Sequence, residues 1–427
     1  MGPWSLYDYY LWYEKIKEEE ESQKKIDKEE EAENKVTEKN IVIEDVSDKV
    51  DADTKLLISA KIIERMLNLN TFDEISKDFR FFEDPADELR NIEGNYDGSL
   101  LPLWKFVFHE CMGLEVTGMQ WNPRYGDLFA VAYGSYSFYD QPGMGCLCMY
   151  SLKNPSHPEY VRKTTSGVMC LDIHEEYPHM VAVGLYDGNV AVFNLKSTDS
   201  SPNYVSSAGQ GKHCAPVWTV KWIKDNLDGY MNFYSASGDG RITNWTLVKQ
   251  TLWHFDVCIL GFAKQLRNSE ELSSKLTSDA RSLAFVPASD TNFIVGTEEG
   301  DLLLCTTEYS SKFLMTYNGH DTAINKIIWN PFHSQLFISC ASEYVIHIWH
   351  SKLAKPILSY SVGSVVGDVA WAPYSSTVFS AVTNEGVVIL YDISIDKYAP
   401  LCRQVVLFVA QNNYFFLSNF LENHWKL

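Results

Sequence analysis

The segment Gly209–Cys214, GQGKHC, comes nearest in residue types to a phosphate-binding loop, where glycine N–H groups cradle phosphates and a Lys followed by Ser or Thr holds nucleotide and magnesium. The spacing fails: Ser206 stands where the first glycine is needed, five residues before Gly211, and His213 stands where the hydroxyl ligand belongs. The segment reads as a loop. Neither a G-x-S-x-G nucleophile elbow nor an H-E-x-x-H pair occurs, so hydrolase chemistry has no seat. The nine cysteines are scattered, Cys146 and Cys148 being the closest pair, with no C-x-x-C anywhere. Spacing therefore reveals neither a zinc site nor a disulfide framework, and the cysteines read as reduced, buried thiols. His320, following Gly319, is expected to hydrogen-bond within a sheet rather than to catalyse; His174 and His213 fall near strand edges or loops, and no carboxylate pair has acid/base spacing. The expectation is of no enzyme, no cofactor and no metal.

The elements that carry these residues are repeats. Gly319–His350 and Val365–Asp392 follow one template: a strand ending in Trp-x-Pro, a turn, a second strand, a tight turn, and a third strand ending in an aromatic. A turn residue followed five positions later by the end of an apolar strand recurs six times, as Gly145 with Tyr150, Gly188 with Phe193, Gly240 with Trp245, Gly300 with Cys305, Tyr344 with Trp349, and Gly386 with Tyr391. An earlier strand of each unit ends at Trp121, Ile173, Trp222, Phe285, Trp329 or Trp371, at intervals of 52, 49, 63, 44 and 42 residues. Those intervals approach the roughly 40–45 residues of WD40 repeats once loops are allowed for. Between them lie LFAVAYG, MVAVGL, NFYSAS, NFIVGT, LFISCA and VFSAVT, middle strands whose small residues suit close contact between blades.

A sheet of this size has two apolar faces and cannot bury both alone, so blade stacks on blade around a ring. The fold class is all-β: a WD40 β-propeller with six recognisable blades and an incomplete seventh, preceded by a helical or disordered N-terminal segment. Trp121, Trp222, Trp245, His320, Trp329, Trp349, Trp371 and Tyr391 are its structural landmarks. The stretch LPLWKFVFH, Leu101–His109, is expected to supply an outer strand that completes the last blade. After Asp392 too few residues remain for a full seventh unit; VVLFVA could form one strand, and the tail diverges.

The N-terminus runs from an aromatic opening, Trp4–Tyr13, into a Glu/Lys-rich run, Glu14–Asn40, expected to be solvated. Beyond it, Leu56, Ala60, Ile63 and Leu67 recur at helical spacing and set one apolar stripe along about four turns. Asn68 and Asn70 are expected to end that helix. Thr71 and Glu74 form a capping-box pair for a second helix, with Phe72, Ile75, Phe79 and Phe82 on its apolar face. The divisions are thus 1–52, charged; 53–98, helical and partner-binding; 99–403, propeller; and 404–427, a divergent tail. A formal charge of −20 argues against nucleic acid as a partner. No signal peptide is readable, and the tail is too short and interrupted for a membrane span.

The residues Ala60–Arg90, the LPLWKF strand, WNPRYGDLFAVAYGSYSF, YSLKNPSHPEY, VAVGLYDGNVAVFNLK, DGRITNWTLVK and GDVAWAPYSSTVFSAVT together resemble the intermediate chains of dynein, the outer-arm axonemal members above all. The resemblance covers roughly Trp4–Arg403. It implies a noncatalytic subunit whose propeller binds a dynein heavy chain, which pairs with a second intermediate chain and helps fix the complex to a doublet microtubule. It also implies docking of roadblock-type and other light chains on the helical segment, with Leu56, Ala60, Ile63, Leu67, Phe72, Ile75 and Phe79 as candidate contacts. The expected location is the cytoplasm and cytoskeleton, in the axoneme of a cilium or flagellum. The competing class is a WD40 peptide reader such as a ubiquitin-ligase substrate receptor, against which the Trp-Asp-x-Arg ending is missing: Trp349 is followed by His350.

Overall fold

The protein is described here by a computed structural model covering residues 55–68, 70–71, 100 and most of 104–405. Outside the description fall 1–54, 69, 72–99, 101–103, 138, 140, 142, 198–199, 225–228, 250, 261–277, 288, 290, 309–312 and 406–427. The N-terminal unit presents one helix, α1 (residues 55–68). Residues 70–71 are helical as well, and the Thr71 hydroxyl donates to the Leu67 carbonyl at 3.0 Å. Thr71 thus bonds back along the first helix, which continues past the expected stop at Asn68 and Asn70, while the expected capping partner Glu74 and the second helix lie outside the described residues.

The second unit is built from six four-stranded antiparallel sheets. Blade one holds β1 (Glu115–Trp121), β2 (Leu128–Gly134), β3 (Gly145–Ser151) and β4 (Tyr160–Thr164); blade two β5 (Val168–Ile173), β6 (Met180–Leu185), β7 (Val190–Asn194) and β8 (Tyr204–Val205). Blade three holds β9 (Val217–Ile223), β10 (Asn232–Ser237), β11 (Arg241–Val248) and β12 (Thr251–Ile259); blade four β13 (Ala280–Phe285), β14 (Asn292–Thr297), β15 (Leu302–Thr306) and β16 (Met315–Tyr317). Blade five holds β17 (Ile324–Trp329), β18 (Leu336–Ala341), β19 (Val345–His350) and β20 (Leu358–Ser361); blade six β21 (Val366–Trp371), β22 (Val378–Thr383), β23 (Val387–Asp392) and β24 (Cys402–Val405).

The sequence landmarks lie on a single rung of every blade. The first strand's last landmark pairs with the second strand, and that residue pairs with the third: Trp121–Phe129–Tyr150, Ile173–Val181–Phe193, Trp222–Phe233–Trp245, Phe285–Phe293–Cys305, Trp329–Phe337–Trp349 and Trp371–Phe379–Tyr391. Rings on the second and third strands stack, Phe337 on Trp349 at 6.0 Å and 7°, Phe379 on Tyr391 at 5.0 Å and 12°. Such cross-strand aromatic pairs fix register, because a one-residue slip would turn every ring to the opposite face. All six first strands also carry a register shift near their start, at Val116/Gly118, Val168/Cys170, Val217/Thr219, Ala280/Ser282, Ile324/Lys326 and Val366/Asp368. A bulge there raises the local twist as the strand leaves its entry loop.

Small residues on the middle strands are the close-approach points between blades. A Cβ on Gly184 would stand 2.7 Å from Val217 of blade three, and one on Gly296 would stand 2.6 Å from Ile324 of blade five. The repeated turn is less uniform than its spacing. Gly188, Gly240, Gly300 and Gly386 have left-handed φ of 76 to 91°, whereas neither Tyr344 nor Gly145 does. Gly145 instead opens β3 after a long loop.

The expected ring-closing strand is corrected. Blade six takes its fourth strand from β24, immediately after the last repeat, and Val405 of the expected VVLFVA strand is its end. Among the described residues of 101–109, none lies in a strand. The segment works as a clasp: the Leu100 N–H donates to Gln404 Oε1 at 2.6 Å and Leu100 packs with Val378, Leu390 and Cys402 of blade six. Phe106 and Phe108 pack on blade one beside Trp121, Phe129 and Tyr150. One short stretch therefore touches the first and last blades, on the faces that no other blade covers in the core clusters described. The remainder of the expected incomplete seventh blade lies outside the described residues.

Candidate partner-binding surfaces

Helix α1 leaves its large apolar side chains exposed. Leu56, Leu57, Ile58, Ile62, Ile63, Met66 and Leu67 are all more than half exposed. At about 100° per residue, Leu56, Ala60, Ile63 and Leu67 fall within one narrow arc, and Ile62 and Met66 widen it. Lys61, Glu64, Arg65 and Asn68 take the other side, together with Leu57 and Ile58 from the first turn. A stripe this wide, exposed on a helix, is what helix-in-groove recognition requires. Of the seven candidate contacts, Leu56, Ala60, Ile63 and Leu67 are thus brought onto one face; Phe72, Ile75 and Phe79 lie outside the described residues. No helix among the described residues is long and apolar enough to cross a membrane.

In the propeller, polar residues that could do chemistry turn out to hold blades together. In blade three the Trp245 Nε1–H donates to Ser235 Oγ at 2.7 Å, Ser235 Oγ lies 2.7 Å from His213 Nε2, and His213 Nδ1 lies 3.1 Å from Asp239 Oδ2. The tautomer consistent with that chain has Ser235 donating to Nε2 and Nδ1–H donating to the carboxylate. Ser, His and Asp stand in hydrolase order here. The Ser235 hydroxyl is nevertheless sealed, Ser235 being 0% and His213 1% exposed, and its oxygen is engaged by the indole. The chain is a structural network tying the entry loop, the second strand and the third. Burial works to raise the Asp239 carboxyl, but the His213 ring and the N–H groups of Arg241 and Cys214 outweigh it and hold the group below the ordinary carboxylate range.

Sequence reasoning placed His213 in a failed nucleotide loop and so missed this role. The available signal was that His213 precedes the rung residue Trp245 by an interval close to that between His320 and Trp349. In blade five the His320 Nε2 lies 2.7 Å from Ser339 Oγ, which accepts the Trp349 Nε1–H at 2.8 Å. Here Glu343 replaces the aspartate and reaches instead to the backbone N–H groups of Asp321 and Thr322. His320 Nδ1 finds no hydrogen-bond partner, and the His347 ring packs 4.5 Å away. Burial, and then the charge of His347, push His320 down to about 3.

Near the starts of the first strands, the Tyr136 ring stacks on Trp218 at 6.3 Å and 4°, and the Arg281 guanidinium sits 4.6 Å above Trp218. Arg281 reaches Glu298 at 3.3 Å, and the Tyr136 hydroxyl donates to the Thr117 carbonyl at 2.9 Å. Burial, followed by the nearby Glu298 and Glu299, raises Asp279 to about 6. The blade-one loop is thereby held over β9 and β13. On the opposite side of blade one, Cys111, Cys146 and Cys148 converge, with all three sulfurs within 4.8 Å of one another.

Comparison with known proteins decides what this assembly is. The family model "WD domain, G-beta repeat" matches residues 311–350. The chain is 46% identical over 407 residues to "Dynein intermediate chain 2, ciliary" of Heliocidaris crassispina, covering 95% of this chain and 57% of that protein. It is 45% identical over 418 residues to "Dynein axonemal intermediate chain 1" of Bos taurus, covering 96% and 58%. This chain belongs to the dynein intermediate chain family. A more distant family member, "Dynein, 78 kDa intermediate chain, flagellar outer arm" of Chlamydomonas reinhardtii, is 37% identical over 361 residues, 82% of this chain and 52% of that one. This intermediate chain spans little more than half the length of these relatives. As a family member it has the WD-repeat propeller that the rungs describe, and its named relatives are ciliary, axonemal and flagellar proteins.

Proposed function

We propose that this chain is a noncatalytic intermediate chain of an outer-arm axonemal dynein, scaffolding the heavy chain and light chains, pairing with a second intermediate chain, and supporting attachment to the doublet microtubules that move cilia and flagella. The observation that carries this reading is the 46% identity to a ciliary dynein intermediate chain across 95% of the chain. The geometry agrees with a scaffold: a helix with its apolar stripe exposed, a propeller rigidified by six rungs, and a Ser–His–Asp network buried beyond the reach of substrate. In this reading α1 takes roadblock-type light chains and the propeller takes the heavy chain.

The test is affinity capture with the full chain from ciliated tissue, followed by identification of the bound polypeptides. Co-recovery of dynein heavy chain with a second intermediate chain and light chains is expected. Recovery of a ubiquitin-ligase adaptor without heavy chain would overturn the proposal.

A further inference from the structure

We propose that Cys111, Cys146 and Cys148 form a three-thiolate site for a thiophilic d10 metal ion, zinc(II) or copper(I), which pins the segment entering the propeller onto blade one. Cys146 and Cys148 are two residues apart on β3, so both side chains point to the same face of the sheet. Cys111 closes the short 3-10 turn His109–Cys111 that lies over this face. The sulfurs are 3.6 Å apart between Cys146 and Cys148 and 4.0 Å apart between Cys111 and Cys148. Three sulfurs bound to one ion at about 2.3 Å stand about 3.8 Å apart in tetrahedral geometry and about 4.0 Å apart in trigonal geometry. Two edges of the cluster already have about those lengths, and the third, Cys111 to Cys146, is no longer than 4.8 Å.

Its surroundings suit a soft ion and exclude a hard one. The three cysteines are at most 5% exposed, are not joined in disulfides, and sit beneath Phe106, Phe108, Phe129 and Tyr150, with no other His, Asp or Glu in the cluster among the described residues. Thiolate donors in a dry apolar shell select zinc or copper(I) over magnesium or calcium. Binding zinc releases three protons to solvent, Zn²⁺ + 3 RSH giving Zn(SR)₃⁻ and 3 H⁺. The remaining negative charge faces Lys163, the cross-strand partner of Cys146, whose ammonium pairs with Glu110 at 2.8 Å. The placement also gives the ion a structural task, since it would fasten the same clasp whose Phe106 and Phe108 cover blade one.

The experiment uses the untagged full chain, stripped of metal and kept reduced and anaerobic. Samples are loaded separately with zinc(II) and copper(I), desalted, and assayed for metal per chain and thermal midpoint; cobalt(II) is added to a third sample to read sulfur-to-metal charge transfer. We expect one ion retained per chain, a raised midpoint, a thiolate charge-transfer band with cobalt, and loss of all three in Cys111→Ala but not in Cys258→Ala. The zinc and copper samples show which ion the three thiolates prefer. Because the readings on the unaltered chain need no variant, a misfolded Cys111→Ala would not rescue the idea. Absence of both retained ion and charge-transfer band in the unaltered chain would overturn it, as would equal retention by Cys111→Ala.

Discussion

Acid should destabilise this propeller through blade five, at the level of two rings. His320 and His347 are 6% and 7% exposed and packed on one another, with Glu343 and Asp321 the nearest charged neighbours in their turns. Burial lowers both histidines, His320 to about 3. A histidine whose folded pKa lies below its unfolded value takes up its proton first in the unfolded chain, so stability is full above about pH 6.5 and falls as pH drops from there toward 3. His320 alone should remove on the order of 2 kcal/mol between pH 7 and pH 5. Denaturant unfolding at a series of pH values should show this fall, and His320→Asn should flatten it; parallel curves for the two proteins would reject His320 as the source. His320 could be read from the Gly-His pair that opens its repeat. His213, doing the same work in blade three, was masked by glycines and a lysine that imitate a phosphate loop, and His347 gave no signal because alternation along β19 does not say which loop packs against it.

Among the elements, the clasp matters most, because it is the part the repeats do not encode. The rungs were readable: a landmark every forty to sixty residues, each at the end of an apolar run, needs only strand periodicity to be placed. The fourth strand of blade six was not, since Cys402–Val405 offers one buried residue among four and no alternation to detect. LPLWKFVFH does alternate, and so passed for a strand, yet its backbone N–H and C=O groups join no ladder where they are described. Its side chains give the segment its hold. The Phe106 ring meets Phe129 at 5.0 Å and Tyr150 at 5.5 Å, both edge-on, while Val107 points outward at 44% exposed. Phe106→Ala should therefore cost about 2 kcal/mol, less than a fully buried phenylalanine because the ring is half covered, and lower the thermal midpoint by about 4 °C. Val107→Ala should leave it nearly unchanged. Equal shifts for the two variants would show that the segment does not clasp blade one through its aromatic side chains.

Over the whole molecule, the division of labour between helix and propeller predicts that binding and folding can be separated. The propeller's core clusters are built from rungs and blade interfaces of the second unit, and the stripe of α1 is exposed. Replacing Ile63 and Leu67 together by Asp puts two charges at the centre of the stripe and should abolish co-purification of the light chain with the full chain, while tryptophan fluorescence reports an unchanged propeller melt. Aspartate is also a poor helix former, by about half a kcal/mol per site. The matched control carries the same residues on the opposite face, Lys61→Asp with Arg65→Asp, at similar cost to the helix, and it should keep the light chain bound. Loss in both variants would mean that an intact helix or its charge, rather than the apolar stripe, is what the partner reads; retention in both would remove α1 from the interface. Only loss confined to Ile63 and Leu67 fits a stripe that waits for a groove on another subunit, and the spacing of Leu56, Ala60, Ile63 and Leu67 made that stripe visible before any coordinate was known.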